Sequence, residues 1–238
     1  MNKKIIYAII PARSGSKGLP NKNIKLLNGI PLIAYSIKFA QALGCDKVIC
    51  STDSEEYAAI AIKYGAEVPF LRSDYAANDT AMEEDILRDL ALKFEEYKLL
   101  IPDVLVWLRP TFVFRDLEVI RRGIDLLVEN NDFTAARTVC ESESRLYSLK
   151  HGVLKPAFDD RGKSMIRRQD IGRFYKVFST DIIRFNAKSI NDDFLGRHVL
   201  GLEINKLCGL DIDDAEDFQI IESIIQNNRM LVEKYLFV

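Results

Sequence analysis

Ile5-Ile6-Tyr7-Ala8-Ile9-Ile10-Pro11-Ala12-Arg13-Ser14-Gly15-Ser16-Lys17-Gly18-Leu19-Pro20 is the stretch whose reading decides the fold. Its first six residues form a continuous apolar run, the pattern of a strand buried on both faces of a parallel sheet. The residues after Pro11 are polar, basic and glycine-bearing, the composition of a loop at a strand end. Two Lys ahead of the apolar run give it a passing likeness to a secretory leader. The run is short, its C-terminal flank is a charged loop, and no small-residue cleavage site is present, so a first β-strand is the better reading.

Outward from this stretch the chain alternates strand and helix patterns. Pro31 suits the first turn of a helix whose apolar stripe is Leu32, Tyr35, Phe39 and Leu43, and Gly44 is placed to end it. Val48-Ile49-Cys50 reads as a strand. Ser51 to Ser54 supply caps for a helix with Glu55 and Glu56 in its first turn, ending near Tyr64-Gly65. Val68–Leu71 reads as a short strand, and Thr80 or Asp79 as the cap of a long helix reaching about Tyr97. Val104–Leu108 is an apolar strand stopped by Pro110, Leu117–Asn130 is helical by pattern, and Phe133–Val139 is strand-like. This succession predicts an α/β fold, a doubly wound, mostly parallel sheet.

The pattern breaks between about 140 and 176. There Gly, Pro and charges dominate, with a basic cluster of Arg161, Lys163, Arg167, Arg168, Arg173 and Lys176. This reads as an insertion leaving the sheet. Val177–Phe185 returns to strand character, and Leu210-Asp211-Ile212-Asp213-Asp214 leads into an amphipathic helix over about Ala215 to Asn228. One domain spanning 1–238 accommodates all of this, since domains typically run ~100–200 residues.

Composition narrows the function classes. The chain has 238 residues, with 33 Lys+Arg against 35 Asp+Glu and a net charge of -2, which argues against a protein that coats nucleic acid. Its 48% hydrophobic content excludes the disordered classes. No apolar run approaches the ~18–20 residues that span a bilayer. Cys45, Cys50, Cys140 and Cys208 form no Cys-x-x-Cys pair, and two His offer no zinc spacing, so free thiols in a reducing cytoplasm are expected. The basic cluster has a rival reading as an RNA patch. Asp159, Asp160 and Asp170 dilute it, and beyond Phe174 and Tyr175 it lacks stacking platforms.

The loop after the first strand lies at the sheet edge where open α/β folds bind ligands. Gly15 and Gly18 let backbone N–H groups approach an anion, Ser14 and Ser16 add donors, and Arg13, Lys17 and Lys22 put three cations within ten residues. That combination suits a triphosphate; the alternative is an ordinary polar turn with solvated Lys. Two familiar phosphate motifs fail. Gly162-Lys163-Ser164 has the tail of a Walker A loop, but its first Gly is Ala157, and a dinucleotide fingerprint would need Gly where Arg13 stands.

The stretch Ile9 to Ile24, with Ser51-Thr52-Asp53, Tyr64 to Arg72, Asp79-Thr80-Ala81, Arg168-Gln169 and Asp211-Ile212-Asp213, resembles the motifs of CMP-sialic acid synthetases (acylneuraminate cytidylyltransferases) in order and spacing over nearly the whole chain. The resemblance implies a Rossmann-like nucleotidyltransferase that transfers CMP from CTP to the anomeric hydroxyl of a sialic-type, nine-carbon 2-keto-3-deoxy sugar acid, releasing pyrophosphate. It implies that Ala12, Arg13, Ser16, Lys17, Lys22 and Asn23 bind the nucleotide, with Arg72 and Thr80 near its base and ribose. For Thr80 a helix cap is an equal alternative, and for Arg72 a plain surface role. It implies that Lys17, Lys22 and Asp211 are catalytic.

Asp211 and Asp213, at i and i+2 in an extended segment, put both carboxylates on one side, which suits Mg²⁺ with its few carboxylates plus phosphates and water. On spacing alone, Asp213 or Asp214 capping the next helix is as good a reading. The family match favours Asp211 and Asp213 as metal ligands and Asp214 as the cap. The acceptor's carboxylate calls for an Arg fork, for which Arg168 with Gln169 comes first, then Arg109 and Arg115. His151 and His198 fall in no motif.

The chain departs from the family pattern in three places. Arg109 stands at a variable position with Phe112 and Phe114 near it, Phe178-Ser179 replaces an Asn-Gly pair, and Glu83 replaces a frequent Ser. These leave room for another acceptor, such as an eight-carbon acid or another hydroxyl or phosphate compound; a silent CTP-binding protein is the alternative from a different class. The resemblance further implies a homodimer in which the 140–176 insertion reaches the neighbouring subunit.

Overall fold

The computed structural model of the chain describes residues 3–143, 145–157, 167, 170, 172–177, 179–185 and 194–238. In chain order the elements are β1 (Ile6–Pro11), the short pair β2 (Leu26–Leu27) and β3 (Ile30–Pro31), α1 (Leu32–Leu43), β4 (Lys47–Ser51), α2 (Glu55–Lys63), α3 (Asp74–Ala77), α4 (Glu83–Glu96), β5 (Val104–Leu108), α5 (Leu117–Glu129), β6 (Ala135–Glu141), β7 (Tyr147–Lys150), β8 (Val153–Pro156), β9 (Tyr175–Lys176), β10 (Thr180–Arg184), β11 (Val199–Glu203), α6 (Ala215–Asn227) and α7 (Arg229–Val232).

The apolar run at the start is an interior strand, as its composition predicts. β1 pairs in parallel with β4 on one side and β5 on the other. The sheet continues through β10, β6 and β11, giving the order β11-β6-β10-β5-β1-β4. β10 alone in this path runs antiparallel to its neighbours, β5 and β6, and β11 is parallel to β6. The sheet is therefore mostly parallel and covered on both faces.

Alternate residues feed the two faces. Ala8, Ile10, Val106, Leu108, Ala136 and Ile182 pack with Ile33 and Ile37 of α1 and with Ile120, Ile124 and Leu127 of α5. Tyr7, Ile9, Ile49, Leu105, Trp107 and Ile183 pack with Leu87, Leu90 and Phe94 of α4. A smaller core joins Val113 and Phe114 to Phe218, Ile221 and Ile225 of α6. It fixes α6, and the segment before it, to the loop after β5.

Helix ends obey local chemistry. Gly44 at φ 81 ends α1, and the Ser54 hydroxyl accepts from the Tyr57 N–H at the start of α2. Asp116 caps α5. Asp214 caps α6, accepting from the Glu216 and Asp217 N–H groups at 2.9 and 3.0 Å. That is the role the sequence favours for it.

Several expectations are corrected. Val68–Leu71 is not a strand; only Glu67 bridges to Ile49, and Phe70 is held by burial. α4 begins at Glu83 with Met82 as N-cap, so neither Thr80 nor Asp79 caps it. Asp85 supplies the cap bond instead, accepting from the Met82 N–H at 2.8 Å. The strand read as Val177–Phe185 is β10, Thr180–Arg184, and just before it β9, Tyr175–Lys176, forms a short strand inside the stretch read as the insertion. They share the same edge of β6 with a register slip of two residues: Arg137 faces Asp181, but Cys140 faces Lys176. β11 and the β7–β8 hairpin carry too little apolar patterning to be read from sequence. Four free cysteines are present, three of them buried, as expected.

Candidate active site

The strands β1, β4, β5 and β6 end at one edge, and the loop of residues 12–23 crosses it. Each part of that loop is tied down. The Ala12 N–H donates to the Ser51 carbonyl at 2.9 Å. Ser14 donates from both its N–H and its hydroxyl to the two oxygens of Asp53, each at 2.7 Å. Burial pushes the Asp53 carboxyl up, but these bonds outweigh it and hold it below the usual carboxylate range. Asn23 donates to the Arg13 carbonyl at 3.0 Å. Gly15 turns at φ +71, and a Cβ on Gly18 would sit 2.7 Å from the Asp213 carbonyl oxygen. The loop thus lies directly on the 211–213 segment, and Gly18 is what allows it.

A cleft of about 330 Å³ opens between this loop, the segment after α3 and the start of α4. Of the residues predicted for the nucleotide, Arg13, Ser16, Lys17, Lys22, Asn23 and Arg72 line it, and so does Arg109. Ala12 is buried behind it. Thr80 is not among the lining residues; its N–H and hydroxyl both donate to the Asn78 carboxamide oxygen, shaping the turn beside the cleft. A larger hollow, about 600 Å³, lies between the β2–β3 turn and the C-terminal helices, but none of the predicted site residues lines it.

The cations are placed by carboxylates and carbonyls. Arg13 and Lys17 both reach the exposed Asp79, at 2.8 and 2.7 Å. Lys22 donates to the Ile212 carbonyl at 2.8 Å and stands 3.8 Å from Asp213. Arg72 is no surface residue: it is 6% exposed and clamps Ser51 at the end of β4, through Nε to the hydroxyl and Nη2 to the carbonyl. Burial pushes its pKa down to about 10.

Arg109 lines the cleft with its guanidinium already paired. Its guanidinium grips Glu83 through Nε at 2.8 Å and Nη2 at 2.6 Å, and Nη2 also reaches Asp181 at 2.9 Å. Asp181 is fully buried on β10 and takes a second guanidinium, that of Arg137, at 2.5 Å. Glu83 accepts as well from the buried Trp107 Nε1 at 3.0 Å. Two of the three departures from the family pattern, Glu83 and Arg109, are therefore one ion pair. Arg109 is committed to carboxylates of this chain rather than held open for one on a ligand. Arg115 is buried under this group, donating to the Arg109 carbonyl at 2.6 Å.

Asp211 is half-buried, and its Oδ1 is shut from solvent with no hydrogen-bond partner. Burial raises its carboxyl above the usual range, the neighbouring Asp213 adds to this, and Thr111, Lys176 and Lys22 pull the other way. Asp213 is exposed. An orphaned buried carboxylate oxygen beside an exposed carboxylate fits a hard cation that completes its shell with water and phosphate oxygens. No cluster of three or more ligating side chains occurs among the described residues. Arg168, Gln169 and Phe178 lie outside the described residues. The sequence reading quotes Asp53 and Asp79 within motifs without giving either a role at the site, and it misses Asp181. The last had a signal: a lone acid inside the apolar strand Thr180–Arg184 must find cations.

A mostly parallel sheet whose C-terminal edge carries a cation-lined, glycine-bearing loop is the frame of a nucleotide-binding α/β protein, and the family and relatives make this one a nucleotidyltransferase. The chain belongs to the cytidylyltransferase family, whose model matches residues 7–234. It is 45% identical over 231 residues to the CMP-N,N'-diacetyllegionaminic acid synthase of Legionella pneumophila, covering 94% of this chain and 97% of that one. To the N-acylneuraminate cytidylyltransferase of Escherichia coli it is 34% identical, covering 99% of this chain and 55% of that longer one. The fold is shared with CMP:2-keto-3-deoxy-manno-octonic acid synthetase solved with CTP, at TM-score 0.66 and 12% identity over 93% of this chain and 98% of that one.

Proposed function

We propose that this enzyme transfers CMP from CTP to the anomeric hydroxyl of a nine-carbon 2-keto-3-deoxy sugar acid of the sialic and legionaminic type. The observation that carries the reading is the packing of the cationic loop onto the Asp211–Asp213 segment, which sets triphosphate-binding groups beside a carboxylate that can take a proton. The names of the Legionella and Escherichia relatives support the acceptor class.

The reaction is an in-line displacement. The sugar hydroxyl oxygen forms a bond to the α-phosphorus, the bond from that phosphorus to the pyrophosphate oxygen breaks, and the hydroxyl proton passes to Asp211. Arg13, Lys17 and Lys22 stabilise charge that spreads over the phosphate oxygens in the transition state. Asp211 lies on the segment against which the cationic loop packs, so its carboxylate is placed to take the proton. Asp211 and Asp213 would hold Mg²⁺, which when bound supplies Lewis-acid polarisation of phosphate oxygens. Asp79 occupies Arg13 and Lys17 until the triphosphate displaces it.

The reading extends to a cytoplasmic homodimer. In support, the β7–β8 hairpin leaves the sheet with Leu149, Val153 and Leu154 all exposed. No helix among the described residues is long and apolar enough to cross a membrane.

Pyrophosphate release with CTP and a panel of sialic, legionaminic, pseudaminic and eight-carbon acids tests the proposal. Turnover is expected with a nine-carbon acid. Turnover confined to an eight-carbon or other acceptor would move the assignment, a change for which the Glu83–Arg109 pair gives a structural motive. CTP binding without turnover on any acceptor would make this a silent nucleotide-binding protein.

A further inference from the structure

A triphosphate that binds the loop takes Arg13 and Lys17 from Asp79, and that exchange has a return half. This inference rests on the reading of the cationic loop as the triphosphate site. Arg13 and Lys17 stand four residues apart, and both line the cleft. They converge on one carboxylate across it: Arg13 Nη1 reaches Oδ1 of Asp79 at 2.8 Å, and Lys17 Nζ reaches Oδ2 at 2.7 Å. Each oxygen thus holds a different cation. Lys22, the third cation, is held elsewhere, by the Ile212 carbonyl and near Asp213.

The turn that presents Asp79 is built firmly into the opposite wall. Its neighbours Asn78 and Ala81 line the cleft. The Asn78 side chain accepts from the Thr80 N–H and hydroxyl and donates to the Tyr75 carbonyl at 2.5 Å. The Ala81 N–H closes the turn onto the Asn78 carbonyl at 3.2 Å. Tyr75 in turn donates from its hydroxyl to the Asp85 carbonyl of α4 at 2.7 Å. The carboxylate is therefore fixed on α3 and α4, while the cations reach it on flexible stems. The pairs are open to water, with Asp79 51% exposed, so each is weak enough for a polyphosphate to break.

We propose that Asp79 is an internal competitor of the polyphosphate: it yields Arg13 and Lys17 to CTP, and after CMP transfer it returns to them and drives pyrophosphate out. The bond that tied pyrophosphate to the nucleoside is then broken, so it is held through its charge alone. A fixed carboxylate beside the same two cations competes with it at high local concentration. Release of product sets turnover in many enzymes, and this contact acts on that step.

The test compares wild type with Asp79→Asn, which keeps the shape and removes the charge. Dissociation constants for CTP and for pyrophosphate are measured by titration calorimetry. Inhibition of CMP-sugar formation by added pyrophosphate is followed by chromatography, with whichever sugar acid the wild type turns over best. Both dissociation constants and the pyrophosphate inhibition constant are expected to fall about fivefold, the scale of two exposed ion pairs. The Michaelis constant for the sugar acid is expected to stay within about twofold. Asp79→Glu, which restores the charge, is expected to bring the constants back toward wild type. Unchanged constants would overturn the inference. Weaker binding of CTP or pyrophosphate by Asp79→Asn would overturn it too, and would make Asp79 a residue that orients the cations for the ligand. So would tighter CTP with pyrophosphate unchanged, since the return half would be missing. A wild type that binds neither CTP nor pyrophosphate would instead reject the loop as a triphosphate site.

Discussion

Asp211 keeps one carboxylate oxygen away from both water and hydrogen-bond donors, so its charge is costly in the resting protein. Asp211→Asn keeps the shape and removes that charge. It is expected to fold with undiminished thermal stability while turnover falls by about a hundredfold or more, the range of a lost general base. Melting curves beside steady-state rates check this, and full activity would remove Asp211 from the chemistry. The neighbouring arginines show where sequence pattern stops being informative. Pattern marks Arg109 as a carboxylate fork, and a fork it is. Its carboxylates, Glu83 and Asp181, belong to this chain and lie 26 and 72 residues away along it. Local spacing carries no information about pairings that the sheet makes at such separations. Arg72 fails as a surface residue for the same reason: its partner Ser51 is 21 residues distant.

At the scale of elements, the cationic loop owes its shape to a clamp built from the next unit. Asp53 sits after β4 and takes both donors of Ser14. Asp53→Ala is expected to raise the Michaelis constant for CTP about fivefold or more, with a smaller change in kcat, because the cations lose their frame. The clamp also links stability to pH. The Asp53 carboxyl lies below its usual value near 3.9, so its contribution is present above about pH 4 and fades as pH falls through the lowered value. The stability gap between wild type and Asp53→Ala, measured by denaturant titration, should narrow below about pH 4. Much at this scale is legible in the sequence. β1, β4 and β5 are apolar runs, and α1, α2, α5 and α6 end on recognisable caps. Illegible are α4's true start, where Met82 is an unconventional cap, and the reversal of β10, since an antiparallel strand buried on both faces reads like a parallel one.

At the scale of the whole molecule, the β7–β8 hairpin stands apart from all three cores. Every residue of its two strands is exposed, Leu149 and Leu154 included, and these two face each other in its register. The proposed homodimer would use this outward-held apolar pair as its association surface. Sedimentation of the wild type is expected to give a dimer. Leu149→Asp with Leu154→Asp should shift it toward monomer, with the melting temperature of the sheet domain little changed. A monomeric wild type at micromolar concentration would dismiss the hairpin as a dimer element.

The chain has one tryptophan, and the structure puts it to unplanned use. The indole of Trp107 is shut from solvent, yet its N–H rests on Glu83, a carboxylate in the wall of the cleft. Tryptophan emission from this protein therefore comes from a single indole, one hydrogen bond removed from the ligand space. Any occupant that disturbs Glu83 will register as a change in intensity or wavelength, so affinities can be read in unlabelled protein, before any product forms.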